Sequence, residues 1–188
     1  VALRRCTRST SRGLALRHAG VRLGAIHDYD APVPSLRVSS VTTDHAIGSF
    51  GSVVFHVWRE VTRIEAIALV DAEVDVARLE PGPLVIFGVV EADAELPPAD
   101  VRARLSEALR HFGELGGIAS TLTFEGRGFR ASAVRSVAAG LAIVARQPFP
   151  HRVFATISEA AGWLASAMAA EQPTTITAQD IVTAIAAL

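Results

Sequence analysis

From residue 51 onward, apolar and polar positions follow regular periods. Val53–Trp58 (VVFHVW) is β-branched and aromatic and reads as a strand. Ile64, Ile67, Val70, Val74 and Ala77 then recur at helical spacing, and Glu80-Pro81-Gly82-Pro83 ends that helix. Leu84–Val90 (LVIFGVV) is a continuous apolar run, as expected of a strand covered on both faces. Pro97-Pro98 opens the clearest helix. Its inner stripe is Val101, Leu105, Ala108, Leu109, Phe112 and Leu115, with Arg102, Arg104, Glu107, Arg110 and Glu114 outside it. Gly116-Gly117 stops it.

Residues 118–124 form a third predicted strand, Gly126 to Gly128 a tight turn, and Val134, Val137, Leu141 and Val144 a third helix. After a loop at 147–150, residues 153–157 read as a fourth strand. Ser158 is placed to cap a fourth helix, with Glu159 beside its positive end and Ala161, Leu164, Ala165 and Met168 as its inner stripe. Thr177 and Asp180 resemble a capping pair for a short last helix, whose Ile181, Ile185 and Leu188 need a partner surface on the domain or on a second subunit. The order is βαβαβαβα, so the expected class is α/β: a four-stranded, mainly parallel sheet with helices packed against it. The expected organisation is a basic extension at 1–50, disordered or non-native, an α/β domain at 51–170, and a linker with a short helix at 171–188.

Composition narrows the picture. Half of the 188 residues are hydrophobic, a fifth are charged and the net charge is −1, which excludes a disordered polyelectrolyte. Cys6 is the single cysteine, so no internal disulfide holds the fold and a reducing, cytoplasmic setting is compatible. Lysine and asparagine are absent and arginine appears 18 times, which reflects G+C-rich codons rather than function. Charge is uneven: residues 1–30 carry six arginines against Asp28 and Asp30, a balance of +4, and the remainder balances at −5. The basic segment has three open readings: a transit-type peptide, a basic arm for nucleic acid, or translation of an upstream stretch foreign to the protein. The main domain is acidic and shows no basic face for nucleic acid. The longest apolar run, 137–145, is too short to span a bilayer.

The segment Phe124-Glu125-Gly126-Arg127-Gly128-Phe129-Arg130-Ala131 sits where a strand ends and a helix opens, the rim at which open α/β sheets bind ligands. The helix start offers free N–H groups to an anion, and Arg127, Arg130 and Arg135 add positive charge. Gly126, Gly128 and Ala131 match G-x-G-x-x-A. The dinucleotide reading fails on three counts: this is the third unit of the chain, Glu125 lies beside the supposed pyrophosphate, and residues 147–152 contain no ribose-binding acid. His56 and Trp58 either line a ligand groove or pack inside. His151 is a loop histidine. Asp71, Glu73 and Asp75 read as a solvated helix edge. Glu91, Asp93 and Glu95 lack the pattern of a calcium loop. No nucleophile elbow or phosphate-binding lysine loop occurs. No metal, cofactor or catalytic residue is expected.

The stretch 53–168 resembles the STAS-like domains, the fold of the bacterial anti-sigma-factor antagonists and their SpoIIAA-like relatives. The resemblance rests on the Glu125-Gly126-Arg127-Gly128-Phe129 turn and on the closing VFATISEAAGWL at 153–164, where a strand feeds an "EA-x-x-WL" helix. It implies a non-enzymatic regulatory module that binds protein partners, with lipids or nucleotides in some relatives. In the antagonists the matching turn reads D-x-S-G and its serine is phosphorylated. Here Arg127 stands in the place of that serine and cannot accept a phosphate. The resulting expectation is a protein-interaction module centred on Glu125, Gly126, Arg127, Gly128, Phe129, Arg130 and Arg135, able to form a homodimer. The alternative is a binder of a small anionic ligand, a nucleotide or lipid headgroup, at the same turn.

Overall fold

Six strands pair in a single mixed sheet whose spatial order equals their order in the chain. The computed structural model describes residues 34–60, 63–80, 82–124, 126 and 128–188. β1 (Leu36–Val41), β2 (His45–Phe50) and β3 (Val53–Trp58) form an antiparallel meander. β3, β4 (Leu84–Val90), β5 (Gly117–Thr123) and β6 (His151–Phe154) run parallel. The crossovers are α1 (Arg63–Leu79), α2 (Ala99–Glu114) and α3 (Gly128–Ala145); α4 (Ile157–Glu171) and α5 (Ala178–Ala186) close the chain.

The α/β class stands, and the four-stranded reading is corrected to six mixed strands. Part of the extension expected at 1–50 belongs to the sheet: residues 36–50 supply β1 and β2, while 1–33 lie outside the described residues. Their hairpins are short. Phe50 pairs with Val53 across Gly51-Ser52, with Gly51 in the left-handed region at φ 52° that a two-residue turn requires. At the other hairpin, Ser40 and Thr42 hydroxyls lie 3.0 and 3.2 Å from the two ring nitrogens of buried His45. Gly48 permits a close approach on β2: a Cβ there would lie 2.6 Å from the Arg37 carbonyl oxygen and 3.0 Å from Leu188.

The strands alternate between two cores. Val53 and Phe55 of β3, Val85 and Phe87 of β4 and Ala119 of β5 face α4 and α5, where Leu164, Met168, Ile181 and Ile185 meet them. The terminal helix therefore docks on its own domain. Its Thr177–Asp180 capping box is present as expected. On α4 the cap is Thr156, which accepts from the Glu159 N–H at 3.2 Å, and Ser158 lies inside the helix. The fourth strand is shorter and earlier than expected, ending at Phe154.

Val54 and Ile86 face α1 and α2 and pack with Ile47, Leu69, Val76 and Phe112. The stripe expected on α2 is the buried one, with Val101, Leu105, Ala108 and Phe112 inside. On α1 the inner face is Leu69, Ala72, Glu73 and Val76, whereas Ile67 is exposed. Glu73, expected at a solvated helix edge, is fully buried, while its neighbours Asp71 and Asp75 are exposed.

Ile47 on β2 packs into the core beneath α1 and is fully buried. Ile47→Ala is expected to cost about 2–4 kcal/mol in urea unfolding, the usual penalty for emptying a core site. A cost below about 0.5 kcal/mol would show that the meander is not part of the cooperative unit.

Candidate functional site

Beyond β5 the chain passes the buried Phe124 and reaches the turn singled out from the sequence. A Cβ at Gly126 would lie 2.2 Å from the Phe124 ring, so only glycine fits over it. Gly128 has φ 71°, and a Cβ there would meet nothing within 4 Å, so backbone conformation alone favours glycine. Gly128 opens α3, and Phe129 in its first turn is 91% exposed. Arg135 is exposed about 9 Å further along the axis. Glu125, Arg127 and the Arg130 side chain lie outside the described residues; Arg130 is placed as a backbone position of α3. The turn thus brings Gly126, Gly128 and Phe129 together at the carboxyl rim of the sheet.

The outward face of α3 differs from that of α2. Arg102, Glu107, Arg110 and Glu114 are exposed on α2, and Arg110 pairs with Glu114. Along α3 the exposed residues at three- and four-residue spacing are Phe129, Ser132, the adjacent Arg135 and Ser136, Ala139 and Ile143. Ile143 is 76% exposed. This stripe is about 21 Å long, carries Arg135 midway along it and has a large apolar group at each end. The inward face of α3 is also apolar, with Ala131, Val134 and Ala138 buried. Beside the stripe an open groove of about 460 Å³ runs between α2 and α3, lined by Arg102 and Val137 and by the small Ala103, Ser106, Ser136 and Gly140.

Beneath α2 and α3 lies a second feature that sequence reasoning located only in part. His56 and Trp58 point from β3 into this layer, their rings stacked at 4.5 Å and 10°. Gly88 on β4 pairs with His56, and a Cβ on it would lie 2.2 Å from His56 Nε2. The imidazole therefore lies where only a glycine permits it. His151, expected in a loop, begins β6 in register with Ser120. Gln147 Nε2 donates to Ser120 Oγ over a long 3.5 Å. Ser120 Oγ lies 2.8 Å from His151 Nδ1, and donation of its proton there leaves the imidazole hydrogen on Nε2.

His56, Trp58, Ser120 and His151 line a cavity of about 60 Å³ whose other walls are mainly aliphatic. Among their buried polar atoms His56 Nδ1, Trp58 Nε1 and His151 Nε2 have no partner. Burial lowers the His56 pKa from 6.5 to about 3, with His151 nearby adding to the effect, and burial lowers His151 as well. Both rings are neutral at pH 7. The signal available in the sequence was the polar–aromatic alternation of His56 and Trp58. Ser120 and His151 gave none, because strand register alone brings them together.

Among the described residues, no group of three His, Cys, Asp or Glu side chains is placed to hold a metal ion, and no helix is long and apolar enough to cross a membrane. Glu91 pairs with Arg59 at 3.1 Å instead. Comparison with family models, curated proteins and solved structures finds no match for this chain.

The buried ionisable groups set opposite pH slopes. His56 binds a proton near pH 6.5 when unfolded and near 3 when folded, so its contribution is present above 6.5 and lost as pH falls through that window. At pH 4.5 the accumulated loss is on the order of 2–3 kcal/mol. Urea unfolding of the wild type and His56→Leu at pH 7.5 and 4.5 is expected to show a smaller acid-side loss in the variant; equal losses would exclude this role.

Glu73 acts in the reverse sense. Burial without a partner for either oxygen raises its pKa well above 4.5. The folded state then holds a proton that the unfolded chain releases, so its stabilising contribution is complete below pH 4.5 and fades as pH rises toward the raised folded value. Glu73→Gln is expected to be less sensitive than the wild type to a rise from about pH 5 to 9. The check is the difference between the two unfolding free energies across that range.

Proposed function

We propose that the chain is a non-enzymatic, STAS-like interaction module of the cytoplasm, and that its working surface is the Gly126–Phe129 turn with the outer face of α3. The stripe from Phe129 to Ile143, with a large exposed apolar side chain at each end, is the observation that carries this reading. A solvent-facing helix ordinarily presents paired charges on its outer side, as α2 does, and the exposed Phe129 and Ile143 of α3 are suited to being covered. Burying Phe129 and Ile143 against a partner contributes about 1.5–3 kcal/mol each, enough for two anchors of a modest protein interface. The small residues of the neighbouring groove allow a partner element to approach closely. The glycine turn and the α4 segment that follows β6 are the parts on which the STAS-like resemblance rests. The partner is read as another protein that presents an apolar face.

A photo-crosslinking residue placed at Phe129, and separately at Ile143, is expected to give the same discrete adduct in a native extract. Placed at the exposed Glu171 on α4, it is expected to give none. Phe129→Glu should leave the unfolding midpoint unchanged, because the ring is already in water, and should abolish the adduct formed from position 143. Identical labelling at all three positions, or an adduct that survives Phe129→Glu, rules the surface out.

A further inference from the structure

We propose that the cavity beneath α2 and α3 is a binding site for a small, uncharged, mainly apolar molecule that carries a carbonyl or hydroxyl oxygen. This site is separate from the outer face of α3. Its chemistry follows from its walls. Leu105, Leu109, Leu122 and Val134 present hydrocarbon, and the polar side is built from His56, Trp58 and His151. The Trp58 Nε1–H is a donor without a partner, and His151 Nε2 is a second unpartnered polar atom on the same side. Unpaired donors in a protein interior are uncommon and cost free energy until an acceptor reaches them.

Three considerations decide what reaches them. The first is charge: both imidazoles are neutral, no arginine lines the cavity, and Glu95 at its edge is exposed, so an anion gains nothing by entering. The second is water. A buried water typically makes about three hydrogen bonds; the unpartnered polar atoms lie on one side of the cavity, and the leucine and valine walls supply no partners for water in the rest of the space. An oxygen attached to a short alkyl group accepts from Trp58 Nε1–H while its carbon chain meets the aliphatic walls. The third is size. A cavity of about 60 Å³, against roughly 10–15 Å³ for a single water on the same measure, has room for a guest of several heavy atoms such as a small ketone or alcohol. Glu95 and the exposed Leu96 line the cavity where the loop after β4 reaches solvent, which gives such a molecule a way in.

The site is tested with 2-butanone and 1-butanol as probes and acetate as the charged control, on the full chain carrying Trp163→Phe so that Trp58 alone reports. Both neutral probes are expected to change Trp58 emission saturably in the millimolar range and to raise the unfolding midpoint, while acetate does neither. Ala138→Leu fills the cavity from α3 and is expected to remove the saturable response; Val137→Phe does the same from the next position if Ala138→Leu does not fold. Trp58→Phe, followed by the chemical shifts of Leu122, should weaken 2-butanone binding about tenfold. A linear response of equal size in the wild type and the filled variants, or an equal response to acetate, overturns the proposal.

Discussion

A sheet covered on both faces leaves its strands no wet side. In this chain that constraint governs the rest of the structure. α1, α2 and α3 lie on one face and α4 and α5 on the other, so both rows of side chains along β3 and β4 are interior. Apolar residues meet that demand directly in the LVIFGVV run of β4. Polar residues drawn into this interior have to find partners inside, remain neutral, or leave an atom unsatisfied. His45 takes the first route with two hydroxyls. His56 and Glu73 take the second and third together, each uncharged at neutral pH or shifted toward it by burial, each with an unpartnered polar atom.

The two outer helices on the crossover face show how the same fold treats solvent in different ways. α2 follows the amphipathic rule, with a buried stripe inside and paired charges outside. α3 has a buried stripe of comparable quality and an outer face of serine, alanine, Arg135 and two large apolar groups. Nothing in the sheet requires that outer composition. The left-handed Gly128 and the close passage of Gly126 over Phe124 fix where α3 starts, and hence place Phe129 at the rim of the sheet.

The inner polar row links packing to chemistry. Strand register places Ser120 beside His151 and Gly88 beside His56. The missing side chain at Gly88 makes room for the imidazole, whose ring in turn stacks on Trp58. Aliphatic side chains from the helices then close over a space with unpartnered polar atoms along one side. Burial that removes charge from the histidines also selects against charged guests. One physical cause, loss of water, therefore sets both the protonation of the site and the kind of molecule compatible with it.

Periodicity in the sequence by itself determined the four parallel strands, the crossover helices between them, the buried stripe of α2, the Thr177–Asp180 cap and the glycine turn before α3. Each of these depends on neighbours a few residues away, and local sterics and hydrogen bonding are sufficient to specify them. β1 and β2 carried no such signal: LRVSSV has no clean alternation, and HAIGSF contains a glycine whose value appears only when Arg37 and Leu188 press against it. The inner face of α1 was likewise decided by tertiary packing, which turned Glu73 inward and Ile67 outward. The meeting of His56, Ser120 and His151 required the register of four strands, a relation between residues up to 95 positions apart that no local period encodes. Contacts along the chain are written in its short-range pattern; contacts across the sheet exist only once the whole sheet has chosen its order.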